Sequence, residues 1–287
     1  MELLRALGAL TEPPSPATQP LAEALGLGDP PDATAHAALF TFELYPYASV
    51  YLGAEGQLGG EARDRIAGFW RALGLEPPTE PDHLATLLAL QASLAELEEH
   101  TAGSARERWR HARRAHLEEH LLSWLPPYLA RMLELGDPSY RRWAELLGET
   151  LAVETRALGG TEEPPQSLHL RTAPPLRDPR TEGGQSLLED LLTPVRSGLI
   201  LTRTDLARAA RELGLGLRQG ERRYVLQALL GQDAAGMLGW LAKEATRQGK
   251  VLIERTEEMR LPVPAHWPAR VEATGKLLRN LARESDP

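Results

Sequence analysis

Apolar side chains recur along this chain at the three-and-four spacing of a helix, and no stretch of useful length alternates apolar and polar positions as a half-buried strand does. The longest stripe, Leu84, Leu87, Leu88, Leu94 and Leu97, follows a turn marked by Gly74, Pro77 and Pro78. Thr79 and Asp82 stand in a capping-box relation, so the pattern predicts a helix that opens over Thr79–Leu84. Pro81 suits a first turn, whose N–H groups lack intrahelical partners, and Glu80 and Asp82 would lie at the positive end of the helix dipole.

Other stripes flank this one. Residues 1–32 mix short leucine-rich turns with prolines. Ala35, Ala38, Leu39 and Phe42 mark a helix over Ala33–Phe42 that Pro46 ends. Ile66, Phe69, Trp70 and Leu73 give an amphipathic helix over Glu61–Leu73, stopped by Gly74. Ser104 and Glu107 form a second capping box ahead of an arginine-rich segment, read as a solvated face balanced by acids. That segment ends on Leu117, Leu121, Trp124 and Leu125 before Pro126 and Pro127. Asp137–Pro138 opens a helix on Tyr140, Trp143, Leu147 and Leu151 that runs to Gly159 and Gly160. The expected class is all-α, an antiparallel helical bundle over residues 1–160. Residues 161–186, rich in proline, glycine and charge, read as a linker or long loop. Residues 187–287 read as a helical C-terminal extension packed on or beside the bundle. Its helices are expected over Thr204–Leu213, Gln219–Leu230, Ala234–Arg247 and Pro268–Ala282, with a short strand at 251–253.

Composition narrows the function classes. The chain has 287 residues, 42% of them hydrophobic and 25% charged, as in an ordinary globular protein. It has no cysteine, which excludes disulfides, thiolate metal ligands and cysteine nucleophiles. The start lacks a basic stretch followed by an apolar one, and no apolar run reaches membrane-spanning length. Neither a signal peptide nor a transmembrane helix is therefore expected, and the expected location is the cytoplasm. A net charge of -8 disfavours bulk nucleic-acid binding and suits a cationic peptide partner.

Three stretches, in order, carry a resemblance. Glu80-Pro81-Asp82-His83-Leu84 resembles the P-D-H signature of the TorD/DmsD/NarJ family of molybdoenzyme maturation chaperones. Tyr45 to Leu52 is similar to the family's aromatic segment, and His116 to Tyr128 to its later tryptophan–proline helix. The resemblance covers about residues 35–160. The chain departs from members that carry an aromatic pair before the signature, where it has Glu76-Pro77-Pro78-Thr79. Typical members end not far beyond the bundle, so the C-terminal hundred residues are an elaboration.

The resemblance implies a binding protein rather than an enzyme, without a cofactor or a metal of its own. Its partner would be the N-terminal segment of a molybdoenzyme catalytic subunit, often a twin-arginine leader, and the protein would be a monomer or a domain-swapped dimer. Such a ligand offers guanidinium groups and then an apolar run, so a receptor needs carboxylates and an apolar groove. Glu80 and Asp82 are the candidate arginine partners, and Pro81 would fix the backbone presenting Asp82 and His83. Tyr47, Tyr51, Trp70, Leu84, Trp124 and Tyr128 are candidate groove walls, each with a core-packing alternative.

Two other readings stay open at this level. His116-Leu117-Glu118-Glu119-His120 fits the inverted zinc-protease pattern and would make a metal-dependent hydrolase if a third ligand exists. Ala210 to Gly214 between two short arginine-bearing helices resembles a helix-turn-helix DNA-binding unit. No phosphate-binding glycine loop is present, so nucleotide binding, attributed to some relatives, is not expected.

Overall fold

The computed structural model describes residues 1–28, 32–160 and 167–285, and among them there is no β-strand. The N-terminal part comprises α1 (Glu2–Ala9), α2 (Gln19–Ala24), α3 (Ala33–His36), α4 (Ala48–Leu52), α5 (Gly60–Ala72), α6 (Leu84–Glu99), α7 (Gly103–His116), α8 (Leu125–Leu135) and α9 (Pro138–Ala157). α3 and α7 each run on into a π-helical turn, Ala37–Glu43 and Leu117–Leu121. The C-terminal part comprises α10 (Leu168–Thr172), α11 (Pro179–Glu182), α12 (Gly184–Leu191), α13 (Pro194–Ser197), α14 (Arg203–Leu213), α15 (Arg222–Gln232), α16 (Ala234–Met259) and α17 (His266–Glu284).

The leucine stripe of α6 is almost wholly buried, packed against α1 on one side and α7 on another. An aromatic pillar stands at the centre of this core. Tyr51 of α4 stacks on Trp124 with ring centroids 5.1 Å apart, and Tyr128 meets both edge-on. Each polar tip finds a backbone carbonyl: Tyr51 Oη donates to Tyr45 O at 2.9 Å and Trp124 Nε1 to His120 O at 2.9 Å. Buried aromatics with satisfied tips give large apolar area without an orphan donor.

The C-terminal part has a second apolar cluster, built from α12, α14, α15, α16 and α17. It is not confined to itself. Val195, Ile200, Leu252, Met259, Leu261 and Trp267 belong to the first core, and Trp267 Nε1 donates to Ser123 O at 2.9 Å. α16 lies against both α8 and α9. Its close approach to α9 needs Gly148, where a Cβ would come within 2.2 Å of the Met259 sulfur.

A closed ring of charges joins the two parts. Arg131 of α8 reaches Asp205 at 2.6 Å and also Glu134. Asp205 pairs with Arg208, which reaches Glu244 at 2.7 Å. Glu244 pairs with Arg247 at 2.6 Å, and Arg247 returns to Glu134. The Arg131 and Asp205 side chains are almost fully buried, and Asp205 is also the third residue of a capping box with Thr202 that opens α14. Burial pushes the Glu244 carboxyl up, but hydrogen bonds from Arg247, Arg208 and Gln248 outweigh it and hold the group at about 2.

Several sequence expectations are corrected. The segment 251–253 lies inside α16, not in a strand. Three consecutive apolar residues suit a helix as well as a strand, and here they continue the long α16, with Leu252 buried in the first core and Ile253 exposed. Ser104 caps nothing, because α7 begins a residue earlier, after Ala102, through Gly103 at φ +57. Of the expected linker, residues 161–166 lie outside the described residues. The remainder is folded: Ser167 caps α10, Leu170 enters the first core, and Arg177 clamps the Asp190 carboxylate of α12. Among the described residues no helix is long and apolar enough to cross a membrane.

Two predictions follow from this packing. Asp205→Ala leaves Arg131 charged in a buried site and removes a helix cap, so it should cost about 3 kcal/mol or more. Asp205→Leu combined with Arg131→Met should recover a large part of that loss. Urea unfolding curves of the parent and these variants check both. The second concerns buried histidines. Burial holds His116 well below its ordinary value, His120 at about 3, and His169 and His266 at about 4. These folded values lie below the unfolded value of about 6.5, so the unfolded chain gains protons that the folded chain refuses. Stability is therefore full above about pH 6.5 and falls as the pH drops towards 4. The urea midpoint should drop measurably between about pH 7 and pH 5, before most carboxylates titrate, and His120→Leu should shallow that drop.

Candidate functional site

The aromatic segment and the Pro-Asp-His segment meet as a short antiparallel bridge between Tyr47 and His83. Ala48 N–H donates to Asp82 O at 3.0 Å, and Leu84 N–H donates to Pro46 O at 2.8 Å. Pro46 and Pro81 both favour the extended backbone this pairing requires in the residues around them. Residues 79–83 therefore form a turn leading into the bridge rather than helix, with His83 N–H donating to Glu80 O at 3.3 Å. The helix expected from Thr79 starts instead at Leu84, with His83 as its N-cap. His83 Nδ1 accepts from Ala85 N–H at 3.2 Å, which replaces the expected Thr79–Asp82 box.

The carboxylate of Asp82 points the other way. It is 2% exposed, and it accepts from Ser49 N–H at 3.3 Å, at the start of α4. An anion there satisfies free N–H groups and opposes the helix dipole. Asp82 is thus a structural cap supplied from another segment, and the expectation that it meets an incoming arginine is corrected.

Tyr47 and His83 form the floor of a surface notch. Their rings meet edge-on at 4.7 Å. His83 is only 5% exposed. Two carboxylates converge on this pair. Glu80 accepts from Tyr47 Oη at 2.9 Å, and Glu12, from the turn after α1, lies 3.3 Å from His83 Nδ1. Burial, then the Glu80 hydrogen bond and the charges of Glu80, Glu12 and Asp82, raise the Tyr47 phenol well above its ordinary value. Burial lowers the His83 imidazole, against the opposing pull of Glu12, Glu80 and Asp82. A neutral ring that accepts at Nδ1 presents a lone pair, not a proton, to Glu12. Among the described residues neither Glu12 nor Glu80 is paired with a lysine or arginine.

The remaining sequence candidates divide by burial. Tyr51, Leu84, Trp124 and Tyr128 are core residues of the aromatic pillar and the α6 stripe, with no surface to offer a ligand. The groove-wall expectation is corrected for these four, because their apolar faces close on one another. Trp70 is half-buried against the same core, and its buried indole N–H has no partner among the described residues. Pro81 is buried beneath the bridge. Glu12 is the residue that sequence reasoning missed. It sits among prolines far from the motif in the chain, and only the packing of α1 on α6 brings it to His83.

The two alternative chemistries find no support in the geometry. His116 and His120 are buried beside Phe69, with ring centroids 5.7 Å apart, and His116 Nδ1 is engaged by Gln91 Oε1 at 2.8 Å. Among the described residues no group of three or more histidines or acids is placed to hold a metal. The supposed helix-turn-helix is two helices separated by residues 214–221, longer than such a turn. Arg208 is locked in the charge ring, while Arg223 pairs with Glu189.

Part of the chain is similar to known proteins. Residues 21–130 match the family described as nitrate reductase delta subunit. The selenate reductase assembly chaperone protein of Thauera selenatis is 40% identical over 89 residues, 30% of this chain and 44% of that protein. The chaperone protein TorD of Shewanella amazonensis is 33% identical over 141 residues, 40% of this chain and 56% of that protein. The chain thus spans about half the length of the curated relatives it matches. No solved structure matches it. The matched region contains Tyr47, Glu80 and His83 but not Glu12, and over that stretch the chain is similar to the TorD/DmsD/NarJ family.

Proposed function

We propose that this chain is a maturation chaperone for a molybdenum-cofactor redox enzyme. It binds the N-terminal segment of the catalytic subunit, a twin-arginine leader or a leader-like sequence, and assists cofactor insertion, assembly and export. The observation that carries the reading is the notch itself: two carboxylates with no lysine or arginine partner among the described residues, set around two aromatic rings, with Tyr47, Glu80 and His83 inside the stretch that matches the family model and Glu12 just before it. A guanidinium is planar and donates in a fork, so it can bridge carboxylates while lying against an aromatic ring. Glu80 and Glu12 would take the guanidinium groups. Tyr47 and His83 would hold them in place, with the bridge to Pro46 and Leu84 fixing the spacing. Asp82 acts behind the site, on α4. This is recognition, not turnover, and both relatives are named as chaperones.

Titration calorimetry with the leader peptide of the client subunit tests the reading, alongside a peptide with its arginines replaced by alanine. The arginine peptide should bind at least about tenfold tighter, since a charge-assisted hydrogen bond contributes about 1.5–3 kcal/mol. Glu12→Gln and Glu80→Gln should each weaken binding several-fold without lowering the unfolding midpoint. Asp82→Ala should behave differently, lowering stability by about 1 kcal/mol or more through loss of a cap. Equal binding of both peptides, or parent-like affinity in the Glu12→Gln/Glu80→Gln double variant, would remove the notch as the leader site.

A further inference from the structure

A second surface lies on the seam between the two parts of the molecule, away from the notch. The end of the α3 π-turn, the start of α14 and the loop 214–221 enclose a groove of about 680 Å³. Its walls are apolar below, with Leu206, Ala207 and Val225, and carry Arg203, Arg218 and Leu217 at the mouth. Three of the large apolar side chains left in solvent gather here: Phe42 at 46% exposure, Leu217 at 52% and Tyr224 at 48%. The Arg203 guanidinium lies 5.2 Å from the Phe42 ring centre. The Tyr224 ring covers Gly220, whose φ of +150 lets the loop pass beneath it, with no room for a Cβ. Exposed aromatics, leucine and arginine set around a concave surface have the composition of a binding hot spot.

The charges decide what would sit there. Many arginines of this acidic chain are paired with carboxylates, as in the ring described above. The two arginines that line this groove, Arg203 and Arg218, have no carboxylate partner among the described residues. Of the two acids on the lining, Glu43 is engaged by the N–H and hydroxyl of Thr204, at 3.2 and 2.9 Å. The other, Glu221, stands at the N-terminus of α15, where the helix dipole favours it. The mouth therefore offers guanidinium donors above an apolar floor.

We infer that this groove docks an acidic segment of a partner protein, one that places an aliphatic or aromatic anchor against Leu217 and Val225 and carboxylates on Arg203 and Arg218. The surface is opposite in charge preference to the notch and shares no residue with it, so it does not depend on the leader-binding reading. A partner engaged at both sites would be held far more tightly than at either alone.

Fluorescence anisotropy with the full chain tests this. The probes are a labelled peptide alternating glutamate with leucine and its lysine–leucine counterpart. The acidic peptide should bind saturably and lose affinity as salt is raised, and the lysine peptide should bind at least about tenfold more weakly. Arg203→Ser combined with Arg218→Ser, and separately Leu217→Ser, should each weaken the acidic peptide roughly tenfold. All three side chains are exposed, so unfolding midpoints should stay unchanged. Glu12→Gln/Glu80→Gln should leave this binding as in the parent. No saturable binding of the acidic peptide, equal binding of the two peptides, or parent-like binding by the arginine double variant overturns the inference.

Discussion

The closed ring of Arg131, Asp205, Arg208, Glu244, Arg247 and Glu134 is the constraint on which the rest of the molecule turns. Three guanidinium groups and three carboxylates leave no net charge, so the cluster can be buried without a stranded ion. It ties α8, which carries the aromatic pillar's neighbours, to α14 and α16 of the C-terminal part. A ring also differs from an isolated pair: each side chain is held by two partners, and removing any member exposes two others. Such a junction contributes specificity of arrangement more than raw stability, since well-packed apolar residues can often match a buried ion pair in energy. The seam it creates is also where the second groove opens.

The notch rests on a different device. One two-residue backbone bridge, Pro46–Tyr47–Ala48 against Asp82–His83–Leu84, brings together segments that carry the family resemblance. The third, the tryptophan–proline helix, meets the first through the Tyr51–Trp124 stack. All three recognised stretches therefore converge on α4. Within them the labour is divided by burial. Asp82 caps α4, His83 caps α6, and Tyr51, Trp124 and Tyr128 fill the core. Glu80 and Tyr47 are left at the surface. The motif is in large part a folding device, and Glu80 and Tyr47 at its rim are left accessible to a partner.

The two surfaces would give one molecule complementary tastes, cations at the notch and anions at the groove. In an acidic chain the first is expected in sign, and the second stands out because its unpaired arginines, Arg203 and Arg218, border a concave apolar floor. Loop 214–221, which follows the Ala210–Gly214 stretch that resembles a helix-turn-helix turn, instead contributes the rim of that groove.

How much was legible in the sequence follows from the range of the forces involved. Helix content, the α6 stripe, the Asp137 cap and the helical character of the C-terminal part are local matters, set by apolar spacing and by side chains that hydrogen-bond within a turn; these were read correctly. The family resemblance was legible too, because its motif residues lie close together in the chain. The errors share one cause. Thr79 and Asp82 satisfy a capping pattern, yet pairing with residues 46–48 draws that segment out of the helix, and a contact across thirty-odd residues leaves no periodic trace. Val251, Leu252 and Ile253 read as a short strand, but they lie in the middle of α16, where Leu252 is held in the first core. Whether an aromatic on an apolar stripe becomes core or groove is likewise undetermined by spacing, since both need the same apolar face. Glu12 reached His83, and Asp205 reached Arg131, only through the folding of distant segments onto one another. The sequence by itself determined which stretches are helices and which residues carry charge; tertiary packing alone decided which charges are neutralised and which remain free to meet a partner, because that depends on what lies within a few ångströms in space rather than a few residues along the chain.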